Sequence, residues 1–227
     1  MSIGKFGSEN LLRLDFDAIT VYVGIFRNVA AVHSHAHEDM LSYAVYVGAA
    51  EALIDPGRPS YLPSDAGFVA ATAHNGLADA DWPVRPRLRF FSNHALRREP
   101  CDCGISRTDD GAVSLWAENR LFGLRRELTI RRQGANSIHA EERLSASRIL
   151  APSFTHNFPG LEAEQSGDAA VRLAAPGLEI AYEGARVEIE SAERARDYGS
   201  RLPIRRARAR LPPEREAGIA WTLRRLD

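Results

Sequence analysis

The chain has 227 residues, 44% of them hydrophobic, and a formal net charge of −1 at pH 7. Length and apolar content support one domain with a sizeable core, residues 1–227 taken as a single unit. The near-neutral balance offers nucleic acid no electrostatic track, and no run of about 18 apolar residues offers a membrane span. Residues 1–7 carry no apolar signal core, so the chain reads as cytoplasmic or as having lost a leader.

Strands open the chain at residues 11–16 and 19–26. A polar stretch follows, His35-Ala36-His37-Glu38-Asp39, with His33 just upstream. Imidazole and carboxylate are the usual ligands of borderline metals and the usual groups for moving protons near neutral pH. A solvated loop with incidental histidines is the plain alternative. Residues 42–47 then read as a strand, Gly48 to Glu51 as a tight connection, and residues 52–54 as its return. The return ends in the turn signal Asp55-Pro56-Gly57. An antiparallel hairpin brings its two ends together, so Asp55 should lie near the loop carrying His35, His37 and Asp39. Thr72-Ala73-His74-Asn75 adds a further imidazole, which spacing alone does not place.

Further strands are expected at 87–91, 112–116, 124–130, 170–173, 178–182, 186–190 and 219–223. Several alternate apolar and charged residues, the period of a half-buried antiparallel strand. Short strands punctuated by Gly and Pro predict an all-β fold, a two-layer antiparallel β-sandwich. Cys101 and Cys103 are too close for an unstrained bridge and read as reduced thiols. Trp82 and Trp116 read as core packing rather than sugar platforms. His156-Asn157, flanked by Phe154 and Phe158, reads as a turn held by local hydrogen bonds. The basic run Arg205 to Arg210 reads as an edge strand guarded by charge, the competing reading being a track for a polyanion.

The ordered set His35-x-His37-x-Asp39-x-Leu41-Ser42-Tyr43, then Asp55-Pro56-Gly57 with Tyr61, then Thr72-Ala73-His74-Asn75, resembles the heparinase II/III-like family of polysaccharide lyases. The likeness is to that family's carboxy-terminal β domain, and Asp197-Tyr198-Gly199-Ser200 extends it more weakly toward the end. It implies β-elimination on uronate-containing glycans such as heparan sulfate or alginate. It implies His35 as a catalytic histidine, and His37, Asp55 and His74 as ligands of a divalent metal, zinc first among them. Asp39, Tyr61 and Asn75 would face the substrate. The family also has a helical toroid that supplies a catalytic Tyr and an Asn or His. This sequence has no amphipathic helices of suitable number, so the resemblance implies a β domain without a toroid, with an acidic glycan as partner: one piece of a split enzyme that meets a separate toroid chain, a gene fragment, or a domain kept for glycan binding. Family members are often periplasmic in bacteria. Gly76 departs from the pattern, which commonly has Thr there.

Two alternatives belong to other classes. One is a non-catalytic, metal-stabilised carbohydrate-binding module. The other is a cupin-like metalloenzyme, for which Glu38 stands too close to His37.

Overall fold

The computed structural model describes residues 2–6, 11–25, 40–57, 59–60, 63–81, 101–120, 123–160, 162–174 and 177–226. Among them there is no α-helix; helical structure is confined to two 3-10 segments, Pro63–Val69 and Ala71–Ala73. No helix of the described residues is long and apolar enough to cross a membrane. The rest is antiparallel β structure in three sheets.

The first sheet is a meander of β1 (Ser2–Phe6), β2 (Leu11–Phe16), β3 (Ile19–Gly24), β4 (Tyr43–Val47) and β5 (Ala50–Leu53), paired in that order. Asp17 at φ 55 and Gly48 at φ 59 turn its two tight hairpins, both residue types that tolerate the left-handed region. Alternation does the rest. Leu12, Leu14, Phe16, Ile19, Val21, Val23, Tyr43, Val45 and Val47 point inward and are buried. Their neighbours Arg13, Thr20, Tyr22 and Tyr46 face outward and are half-buried.

Next come β6 (Gly76–Asp79), β7 (Cys101–Arg107), β8 (Val113–Asn119), β9 (Leu124–Gly134), β10 (Ser137–Ala146) and β11 (Pro152–Phe158). The chain closes with β12 (Ala163–Gln165), β13 (Ala170–Leu173), β14 (Leu178–Glu183), β15 (Glu188–Arg194), β16 (Leu202–Arg210) and β17 (Glu216–Arg225). The order β12-β13-β14-β17-β10-β9-β8-β7 forms an eight-stranded sheet, and β15-β16-β11-β6 a four-stranded one. The five- and four-stranded sheets meet where Ile54 N donates to Asn157 O at 3.0 Å. Together they face the eight-stranded sheet, and the inward side chains of all three form one buried cluster. The expected all-β sandwich is therefore the fold, with one of its layers divided between two sheets.

Two expectations need correction. His156 and Asn157 lie not in a turn but in β11, which is buried along its whole length. Phe154, His156 and Phe158 face the core. On the other face, Thr155 Oγ1 donates to Thr72 O at 3.0 Å and Asn157 Nδ2 to Ala73 O at 2.9 Å, under the second 3-10 segment. A strand covered on both faces shows no apolar alternation, so its pattern is silent. The basic run is also not an edge: β16 lies between β15 and β11. Glu190 on β15 stands 3.7 Å from Arg206 and 3.3 Å from Arg208, so one carboxylate offsets part of the charge within the sheet. The strand expected at 87–91 lies outside the described residues, and Cys103 is a free thiol.

A polar chain crosses the core at His156. Tyr43 Oη lies 2.6 Å from Glu142 Oε1 and 2.6 Å from His156 Nε2, and His156 Nδ1 lies 3.0 Å from Tyr182 Oη. An ionised carboxylate only accepts, so Tyr43 donates to Glu142, His156 Nε2–H donates to Tyr43, and Tyr182 donates to Nδ1. This arrangement needs a neutral imidazole. Burial, and then the charge of Arg126, push His156 well below its ordinary pKa. The unfolded chain then binds a proton there that the folded chain refuses. The stabilisation is complete above the unfolded value, about pH 6.5, and is lost as the pH falls below it. Unfolding free energy should drop by about 1.4 kcal/mol per pH unit from this group between roughly pH 6.5 and 5. Denaturant titrations across that window should show the slope in the wild type and a flatter one in His156→Gln; equal slopes would refute the assignment.

Candidate functional site

The polypeptide leaves β5 through Ile54 and turns at Asp55-Pro56-Gly57. Gly57 takes φ 61, and its N–H donates to Asp55 Oδ1 at 2.8 Å. This local bond fixes the carboxylate and leaves Oδ2 for His74, whose Nδ1 lies 2.8 Å away. The His74 side chain is 1% exposed and the Asp55 side chain 43%, so the pair runs from the interior to the surface. Its imidazole sits at the end of the second 3-10 segment, just before β6. Two of the three metal ligands implied by the motif therefore meet. The third, His37, lies outside the described residues, as do His35, Asp39 and Tyr61. Among the described residues no group of three or more His, Cys, Asp or Glu donors gathers.

The donor types fit a divalent metal such as zinc, for which imidazole nitrogen and carboxylate oxygen are ordinary ligands. Bonds of about 2.0–2.2 Å set ligand atoms roughly 3–3.5 Å apart, a small expansion of the hydrogen-bonded separation. The same contact also suits a carboxylate that orients an imidazole ligand through its other nitrogen.

What holds the two segments in place is a buried clamp from the eight-stranded sheet. Arg126 on β9 and Glu142 on β10 form an ion pair at 2.8 Å, with side chains 6% and 0% exposed. Arg126 Nη1 donates to Met40 O at 2.6 Å, and Nη2 also reaches Asn75 O at 3.3 Å. Met40 belongs to the motif run His35 to Tyr43, and Asn75 follows His74. One guanidinium thus binds a backbone carbonyl at Met40 and another at Asn75. Glu142 accepts from Tyr43 Oη, from Trp221 Nε1 at 3.1 Å and from Leu77 N at 2.8 Å. Leu41, between Met40 and β4, holds φ 54, a strained value for a branched side chain that packing must overcome.

Asn75, expected to face substrate, is 1% exposed. Its Nδ2 donates to Tyr43 O at 2.6 Å and to Ile54 O at 2.9 Å. Its Oδ1 accepts from Asn157 N at 2.7 Å and Asn157 Nδ2 at 3.1 Å. With every amide position used, Asn75 fixes Ile54, and so Asp55, relative to His74. Trp116 packs over Gly104 on β7, where a Cβ would come 2.4 Å from its Nε1, and Arg125 lies 4.7 Å from its ring centre. Trp82 lies outside the described residues.

Gly76 shows why the position departs from the motif. It takes φ 108, and a Cβ there would stand 1.6 Å from Arg126 Nη2 and 2.6 Å from Glu142 Oε2. A side chain at position 76 would displace the guanidinium from its carboxylate. Gly76→Ala should lower stability by about 3–5 kcal/mol, the cost of breaking a buried pair. Gly48→Ala, with open space around it, should cost only about 1 kcal/mol from its backbone strain. Urea unfolding of both variants measures the contrast, and similar losses would contradict the clamp.

A scan against protein-family models gives no match, and a search of curated proteins gives none. Solved structures do match. A heparinase III structure aligns at TM-score 0.72 and 11% identity, over 97% of this chain and 35% of that one. A mutant of heparan sulfate lyase HepC from Pedobacter heparinus aligns at TM-score 0.73 and 9% identity, over 99% and 36%. A 4-alpha-glucanotransferase from Thermococcus litoralis aligns more loosely, at TM-score 0.52 and 11% identity, over 95% and 39%. At these identities the likeness is one of fold. The chain spans about a third of the length of the heparinase structures it matches.

Proposed function

We propose that this chain is the β domain of a polysaccharide lyase that cleaves uronate-containing glycans by β-elimination, working with a helical toroid. The observation that carries the reading is the Asp55–His74 pair, 2.8 Å apart, formed by two of the three motif ligands within a fold shared with heparinase III structures. Fold alone would not suffice, since the same sandwich type occurs beside other carbohydrate chemistry.

The reaction removes the proton α to the uronate carboxylate and protonates the leaving glycosidic oxygen. That proton is weakly acidic, so the carboxylate must be neutralised and a base aimed at the carbon. His35 is assigned to this work, helping to neutralise the carboxylate or to take the proton. Asp39 and Tyr61 are assigned to the substrate side. Asn75 acts as a positioning residue through its bonds to Tyr43 and Ile54. His37, Asp55 and His74 are assigned to a divalent metal, which would tie the motif segment to the hairpin and add positive charge nearby. The toroid supplies the remaining catalytic groups.

Metal analysis tests the ligand set first. The protein should take up about one zinc ion per chain. His37→Ala should lower the melting temperature in zinc-replete buffer and do less in chelator, because a bound ion stabilises through linkage. No change in zinc content in His37→Ala or His74→Ala would remove the metal from the account.

Activity tests the rest. The chain alone should release little unsaturated uronate from heparan sulfate or alginate, and adding a toroid polypeptide should raise the ultraviolet signal. His35→Ala should abolish that gain and leave zinc content unchanged. If His35→Ala strips the metal, His35 is a ligand instead. Tight glycan binding with no activity at any toroid concentration would mark a carbohydrate-binding module.

A further inference from the structure

We propose that the outer face of the five-stranded sheet carries a second carbohydrate-binding site, apart from the Asp55–His74 pair, which takes one acidic sugar residue of a glycan. A hollow of about 400 Å³ lies on this face, lined by Arg13, Thr20, Tyr22, Ala44, Tyr46 and Gly48. Strand register explains its shape. Arg13, Tyr22 and Ala44 share one rung across β2, β3 and β4, and Thr20 and Tyr46 share another. The two tyrosines therefore stand on one diagonal, and the small residues Thr20 and Ala44 on the other. The rings sit 5.7 Å apart at 86°, one presenting a face where the other presents an edge. At the end of the hollow Gly48 has no Cβ to close it.

The chemistry of the lining selects a sugar. The C–H face of a pyranose stacks on an aromatic ring, and its hydroxyls exchange hydrogen bonds with phenol groups at the rim. Arg13 binds Asp15 Oδ1 through Nε at 2.8 Å, an arrangement that turns the guanidinium fork away from Asp15. The same guanidinium lies 5.9 Å from the Tyr22 ring centre, at the edge of the hollow. A uronate carboxylate seated over the rings would meet Nη1 and Nη2 in a bidentate pair. The tyrosine pair also packs across the strands, so the sugar assignment rests on the hollow beside it and on Arg13. The choice of an acidic glycan rests on Arg13 and on the proposed lyase function.

The probes are a heparan sulfate hexasaccharide and an alginate hexamer, with cellohexaose as the neutral control. In titrations followed by backbone amide shifts of the full chain, the acidic oligosaccharides should perturb β2, β3 and β4. Tyr22→Ala and Tyr46→Ala should weaken binding by about fivefold or more, and Tyr46→Phe by less. Arg13→Gln should remove the preference for acidic over neutral oligosaccharide and the salt dependence that goes with it. Ala44→Phe fills the hollow while keeping both tyrosines, and should block binding with circular dichroism unchanged. Wild-type binding that none of these variants alters would overturn the second site and leave the lyase reading intact. No glycan binding by the chain alone, with activity gained on adding a toroid, would do the same. If Ala44→Phe reduces only that gain and leaves glycan affinity unchanged, the face is a protein interface and the site is refuted.

Discussion

The Arg126–Glu142 pair is the interaction on which the architecture turns. Two charges with side chains 6% and 0% exposed are costly to desolvate, and one ion pair seldom offsets that cost. Here the donors and acceptors around them complete the balance. Glu142 accepts from Arg126, Tyr43, Trp221 and Leu77, and Arg126 reaches two backbone carbonyls. These partners come from all three sheets. An apolar core would hold the sheets against each other equally well. It would not specify which carbonyl lies beneath β9, and that specification aligns Met40, and β4 after it, with Asn75.

The route from fold to chemistry runs through that alignment. Asn75 transmits it to Ile54, the Asp55-Pro56-Gly57 turn aims the carboxylate, and the second 3-10 segment delivers His74. None of these residues needs to react. They hold a buried imidazole against a carboxylate that reaches the surface, an arrangement that suits a metal site or an oriented histidine.

Much of the fold was legible in the sequence because most strands are covered on one face only. Residues 124–130 and 170–173 show this most clearly. β11 was not legible, since both its faces are buried and Asn157 reads as a turn residue. The clamp does leave a signal in the sequence. Arg126 falls in phase with Leu124, Leu128 and Ile130 on β9, and Glu142 with Ile138, Ala140 and Leu144 on β10. A charge on the apolar face of each of two neighbouring strands announces a buried pair. The contact between Asp55 and His74 followed from the motif alone, because no spacing rule brings a 3-10 segment back to a hairpin. Asn75 could not be separated from a substrate ligand in sequence, since an amide serves equally well to tie down backbone.

Native-state amide hydrogen exchange tests the clamp most directly, in the double variant Arg126→Met with Glu142→Leu. Removing both charges avoids leaving either one buried alone, but Tyr43, Trp221 and Leu77 lose their acceptor, so global stability should fall by about 1–3 kcal/mol for each donor that finds no other partner. The account predicts that amides in residues 41–57 and 72–79 lose protection together, while those of β12, β13 and β14 keep theirs. Unchanged protection in both segments, or loss in one of them alone, would contradict it.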